Sequence, residues 1–207
     1  DSATFTINND DTPTAQPDTY TAIEDVELVV PSAVGVLAND DTASGPIITA
    51  ILATSVDPSV GQLTLQPDGS FTFRTAQDST ANATFTYITH AVFDSGREFD
   101  STPTTVTINV TAVNDPPVAV DDFYSVLPNT PLVVDAENGI LSNDEDPDAG
   151  DTKTVVSITD LDPAIPGTSL NLDLSDGSFT YDPGTTNDTQ TFTYIMEDSD
   201  GEQSGAT

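Results

Sequence analysis

The chain repeats itself, and this constrains its fold more than any local pattern does. PTAQPDTY, ending at Tyr20, aligns with PVAVDDFY, ending at Tyr124; ELVV (Glu27 to Val30) aligns with PLVV (Pro131 to Val134), and GVLANDD (Gly35 to Asp41) with GILSNDE (Gly139 to Glu145), all at an offset of 104. Farther along, DGSFTF (Asp68 to Phe73) matches DGSFTY (Asp176 to Tyr181) at 108, and TFTYI (Thr84 to Ile88) matches TFTYI (Thr191 to Ile195) at 107. Loop insertions produce such drift without disturbing the elements between them. The 207 residues therefore read as two tandem domains of one design.

Each copy holds about seven runs of period-2 alternation separated by turn signals, which is the pattern of an immunoglobulin-like β-sandwich. In the first copy the apolar face carries Val106, Ile108 and Val110, then Leu63 and Leu65, Phe71 and Phe73, Phe85 and Tyr87; in the second it carries Leu170, Leu172 and Leu174, Phe179 and Tyr181, Phe192 and Tyr194. The residues between them are mostly Thr, Ser, Asn or Asp, so one side packs and the other is wet. Asp68-Gly69 and Asp176-Gly177 stand where hairpins turn. With 33 Thr, 15 Pro, and Asp outnumbering Glu 28 to 7, the composition favours strands and turns over helix surfaces. The expected fold is all-β, with two immunoglobulin-like sandwiches over residues 9–113 and 114–207.

Charge narrows the function. Thirty-five acids against three bases give a formal charge of −32, and such a surface repels nucleic acid and anionic membranes. Without Cys there is no disulfide framework, zinc–thiolate site or thiol catalysis. The longest apolar stretch, Leu28 to Ala38, is broken by Pro31, Ser32 and Gly35, far short of the roughly 20 residues that span a bilayer. His90 is the lone imidazole, and no phosphate loop, HExxH or Ser/His/Asp order is present, so no enzyme is expected.

The densest acidic run is Asn143, Asp144, Glu145, Asp146, Pro147, Asp148, Ala149, Gly150, Asp151. Carboxylates at 144, 146, 148 and 151 repel one another unless a hard cation sits among them, and calcium, which takes six to eight oxygens in irregular geometry, suits such a loop. The spacing imitates the start of an EF-hand, but the twelfth residue from Asp144 is Val155 where a Glu is required. The competing reading is an open, solvated acidic loop. Between the copies, AVNDPPVAVDD (Ala112 to Asp122) is expected to be short and stiff because of its prolines; its Asn114, Asp115, Asp121 and Asp122 form a second candidate cation site, although Asn-Asp before Pro is also ordinary turn chemistry.

AVNDPPVAVDD, GILSNDEDPDAGD, DGSFTYDP and TFTYIMEDSDG together resemble the bacterial cadherin-like, immunoglobulin-like (VCBS-type) tandem repeats of very large secreted adhesins. The resemblance spans nearly the whole chain. It implies a calcium-rigidified extracellular module, a stalk or spacer whose domains lie end to end, with cations at the joints held by the linker and by loop acids of both neighbours. Asp94 in the first copy, and Glu197, Asp198 and Asp200 in the second, would complete those cages. The first copy departs from the pattern, with NDDTASGP where the second has NDEDPDAGD.

The two ends are out of phase. The first copy closes with TPTTVTINV (Thr102 to Val110), whereas Thr207 aligns near Thr104, so the second copy is expected to lack its last strand. Residues 1–8, DSATFTIN, match TTVTIN (Thr104 to Asn109) and are expected to form an orphan strand with Phe5 and Ile7 on its apolar face. The reading that follows is a secreted, cell-surface structural or adhesive protein that polymerises head to tail, each N-terminal strand completing the last domain of a neighbour. An excised piece of a giant adhesin stalk is one alternative. A module binding carbohydrate or protein is another, disfavoured by the absence of Trp.

Overall fold

A computed structural model describes residues 12–41, 47–94 and 96–206. Phe5 and Ile7, with the rest of the expected orphan strand, lie outside the described residues. The chain divides into two compact units between Val113 and Asn114.

In the first unit, β1 (Asp18–Ile23), β3 (Ile47–Thr54), β6 (Ala83–Val92), β7 (Glu98–Asp100) and β8 (Thr104–Thr111) form one sheet, ordered β1-β8-β6-β3 with β7 also on β6. β2 (Leu28–Val30), β4 (Gly61–Leu65) and β5 (Phe71–Thr75) form the other, ordered β2-β5-β4. β1 runs parallel to β8, with Asp18 opposite Val106 and Tyr20 opposite Ile108, while β6 runs antiparallel on its other side, with Phe85 opposite Val106 and Ala83 opposite Ile108. Alternation then sends Phe71, Phe73, Phe85, Tyr87, Val106 and Ile108 inward from both sheets into one core, each no more than 1% exposed.

The second unit has β9 (Leu132–Val134), β11 (Ser169–Leu172) and β12 (Phe179–Asp182) in one sheet, and β10 (Thr154–Ile158), β13 (Tyr194–Glu197) and β14 (Gln203–Ala206) in the other. Its core gathers Val134, Ile140, Val155, Phe179, Tyr194 and Met196. Leu174, expected on the apolar stripe, is 46% exposed: β11 ends at Leu172, and the Asp173–Ser178 turn carries the residue off the sheet's inner face.

The hairpin signals act as expected and do one thing more. Gly69 and Gly177 adopt φ of 82° and 72°, the left-handed region open to glycine. Their carbonyls reach back to the first loop of each unit, accepting from Val36 N–H at 3.0 Å and Ile140 N–H at 3.1 Å. A Cβ on Gly35 or Gly139 would stand 2.2 or 2.4 Å from those same carbonyl oxygens. The repeated GVL/GIL and DGS motifs are thus two halves of one close backbone approach.

Each unit also opens with the same two-residue bridge. Thr14 and Asp41 exchange backbone hydrogen bonds of 2.9 and 3.0 Å, and Val118 and Glu145 exchange bonds of 2.8 and 3.2 Å. Beyond that bridge the units differ. Among the described residues nothing occupies the place of β8 in the second unit; β14 pairs with β13 in the register that β7 takes on β6. Residues 122–127, the counterpart of β1, accordingly belong to no ladder.

Candidate metal centre

The acidic loop divides by direction. Asp144 turns inward and is 4% exposed, accepting from Val120 N–H at 2.8 Å and lying 3.0 Å from the Tyr194 hydroxyl. Asp146 and Asp151 turn the other way and meet Asp198, brought from the turn after β13; one carboxylate oxygen from each lies within 4.8 Å of the others. Gly150, at φ 102°, makes the reversal that presents Asp151.

The hydrogen bonding of this trio leaves a recognisable deficit. Asp198 Oδ1 accepts N–H groups from Asp200 (2.9 Å), Gly201 (2.6 Å) and Glu202 (2.9 Å), and its Oδ2 accepts from Asn114 Nδ2 at 2.9 Å. Burial works to raise its pKa, but these donors outweigh it and hold the group below the usual carboxylate range. Asp146 Oδ1 accepts from Asp148 N–H at 2.9 Å, and Asp151 Oδ1 from Ser199 Oγ at 2.8 Å. The second oxygens of Asp146 and Asp151 are buried with no hydrogen-bond partner among the described residues. Buried polar atoms are nearly always satisfied, and two orphaned carboxylate oxygens facing a third, buried acid fit a hard cation with oxygen ligands. Lys153 does not supply the charge there; its Nζ donates to the Asp144 backbone carbonyl.

The remaining expected ligands are placed elsewhere, all but Asp94 in the second unit. Asp148 Oδ2 accepts Asp115 N–H at 2.7 Å, tying the linker to the acidic loop. Asn143 Nδ2 donates to the carbonyls of Val120 and Asp121, both at 3.4 Å. Asp122 lies 3.3 Å from the Tyr194 hydroxyl, and Glu197 accepts from Gln203 Nε2 at 2.5 Å. Asp200 lends the trio its N–H rather than its carboxylate. Asp94, in the first unit, is exposed. The sequence reading passes over Glu24, 1% exposed, whose Oε2 accepts Val113 N–H at 3.2 Å. It stands with Asp25 and Glu27 in TAIEDVEL, and spacing does not set it apart.

A second acidic feature recurs in both units. Tyr194 Oη lies within 3.3 Å of Val120 O, Ile140 O, an Asp122 oxygen and both Asp144 oxygens. Tyr87 Oη likewise faces Val36 O at 2.6 Å, Asp40 Oδ1 at 2.9 Å, Gln16 O at 3.2 Å and Asp18 Oδ2 at 3.5 Å. One phenolic hydrogen cannot serve so many acceptors, so the aspartate pair around it favours holding a proton. Burial, then the Asp40 charge, pushes Asp18 up to about 6, against smaller opposing contributions from Tyr87 and Asn39; burial and Asp144 likewise raise Asp122 to about 6. Because the folded-state value of Asp18 lies above its unfolded value of 3.8, this group adds stability at low pH that is lost as pH rises through about 6. We expect Asp18→Asn to shrink the difference in unfolding free energy between pH 5 and pH 7.5, read from urea curves, by roughly 0.5–1 kcal/mol after allowance for solvent screening; an unchanged difference would show that Asp18 carries no extra proton.

The profile of the bacterial cadherin-like domain matches residues 10–112 and again 114–207. The chain belongs to the bacterial cadherin-like domain family. Cadherin-like domains are typically extracellular modules of adhesion and structure, and cadherin domains generally bind calcium. Among solved structures, mouse cadherin-23 EC22-24 is similar at 18% identity and TM-score 0.58, covering 96% of this chain and 62% of that one. The protocadherin gammaB7 EC3-6 cis-dimer structure is similar at 15% identity and TM-score 0.56, covering 96% of this chain and 52% of that one. This cadherin-like chain thus spans about half to three-fifths of those structures' lengths, and at such identity the likeness is one of fold. No curated protein matches it. No helix among the described residues is long and apolar enough to cross a membrane.

Proposed function

We propose that this chain is a calcium-stiffened module of a secreted or surface-displayed adhesive structure, and that copies join head to tail, residues 1–8 of one entering the second unit of the next. The observation that carries the calcium part is the Asp146, Asp151 and Asp198 basin with its two orphaned oxygens. Those carboxylates would hold the ion, Ser199, Asn114 and the N–H groups of residues 200–202 would orient them, and the ion would neutralise their mutual repulsion. The linker acids Asp115, Asp121 and Asp122, with Asp148, Asp94 and Glu197 outside the linker, are the remaining candidate ligands. The role is structural rather than catalytic.

Calcium titration by isothermal calorimetry tests the reading. The unaltered chain is expected to bind calcium, and Asp146→Asn/Asp151→Asn to lose at least one equivalent while keeping its β circular-dichroism spectrum. Equal stoichiometry in the two proteins would remove this site. Electron microscopy of the purified chain, with and without calcium, tests the assembly: filaments are expected, and monomers at all concentrations would remove it.

A further inference from the structure

We infer that the second unit carries a preformed lane for one β-strand, with its direction and register already set, and that residues 4–8 of a second copy fill it; this rests on the head-to-tail reading above. One wall is residues 122–126, whose backbone groups have no partner among the described residues, although Tyr124 is locked in place by its ring on Phe179 (4.8 Å between centroids) and its hydroxyl on Asn138 O (2.8 Å). The same contacts fix Tyr20 in the first unit, on Phe71 at 4.9 Å and Val34 O at 3.0 Å, where its backbone pairs with β8. The opposite wall is the segment before β13. Thr191 and Thr193 bond away from the lane, to Asp162 and Thr159, and the Phe192 backbone has no partner among the described residues. In the first unit the space between the equivalent walls is filled by Val106 and Ile108, both 0% exposed; nothing described replaces them in the second core.

The repeat offsets of 104 and 107, applied to the pairing of β8 with β1 and β6, give the occupant's register. An added strand runs parallel to 122–127 and antiparallel to 190–194, with the residue equivalent to Val106 opposite Phe192 and Asp122, and the one equivalent to Ile108 opposite Gln190 and Tyr124. TFTIN at 4–8 reproduces TVTIN at 105–109, which places Phe5 and Ile7 inward and Thr6 outward, opposite Thr191. Chain order favours a second copy. In residues 104–118 a strand of this kind closes one unit and leads into the Val118–Glu145 bridge of the next; residues 4–8 lead in the same way into the Thr14–Asp41 bridge.

A chain without cysteine makes the test direct. Oxidised Thr6→Cys/Thr191→Cys is expected to give a ladder of disulfide-linked multimers on non-reducing gels, and each single variant at most a dimer. Phe5→Asp/Ile7→Asp is expected to stay folded and to abolish multimers by light scattering. A cross-linked product confined to monomer would mean the strand folds back on its own chain. A ladder seen only with Thr6→Cys/Thr193→Cys would overturn the register while leaving the lane. Multimers of the unaltered chain without any Thr6→Cys/Thr191→Cys ladder would overturn the lane while leaving head-to-tail assembly. A chain that scatters as a monomer throughout would overturn both.

Discussion

Chelating calcium with EDTA is expected to lower the melting temperature of this chain by about 10 °C or more. A ligand that binds only the folded state at 100 times its Kd contributes about 2.7 kcal/mol, and about 1 kcal/mol moves a domain of 60–100 residues by roughly 4–8 °C. The effect should fall on the second unit, where Asp146, Asp151 and Asp198 converge. The same geometry predicts a crossing. Asp146→Asn/Asp151→Asn removes two charges that repel in the metal-free state, so the variant should melt below the unaltered chain in calcium and above it in EDTA. Differential scanning calorimetry of both proteins in both conditions decides; identical melting with and without the chelator would dismiss calcium as a stabiliser.

The second large effect is expected at β8. Ile108→Ala should cost about 2–5 kcal/mol in the first unit, because a fully buried isoleucine between Ala83 and Tyr20 leaves a cavity its neighbours cannot close. Thr105→Ala, on the exposed side of the same strand, should stay within about 0.5 kcal/mol. Urea unfolding of the two variants gives the comparison. A cost under about 1 kcal/mol for Ile108→Ala would mean that this strand contributes little to its sandwich, and a strand in the corresponding lane of the second unit would then have little to gain.

Much of this architecture is legible in the amino-acid order, for reasons visible at particular residues. Phe71 and Phe73, or Val106 and Ile108, alternate with Thr and can bury only as strands; Asp-Gly pairs turn because Gly69 and Gly177 reach positive φ at no steric cost. The acidic loop is legible as a cluster and illegible as a site. Period-2 spacing puts Asp144, Asp146 and Asp148 on one side of a strand, but here the chain is a loop, and each carboxylate goes where its donors are: Val120 and Tyr194 for Asp144, Asp115 for Asp148. Asp198 was among several tail acids, and its selection depends on three successive N–H groups curling around one oxygen. Leu174 and Glu24 fail for a related reason, since the end of a strand and the burial of one acid among several are decided by neighbours distant in sequence.

The crowding of oxygens around the phenols has an optical consequence. With no tryptophan, the near-ultraviolet spectrum belongs mainly to the five tyrosines, and every one of them is made a weaker acid by burial first and by neighbouring carboxylates second, Tyr20 and Tyr124 to about 12, Tyr181 upward, and Tyr87 and Tyr194 further still. Phenolate absorbance near pH 10.5 is therefore expected to rise when the sandwiches are lost. The protein carries its own denaturation dye, with Tyr20 and Tyr87 reading one half and Tyr124, Tyr181 and Tyr194 the other.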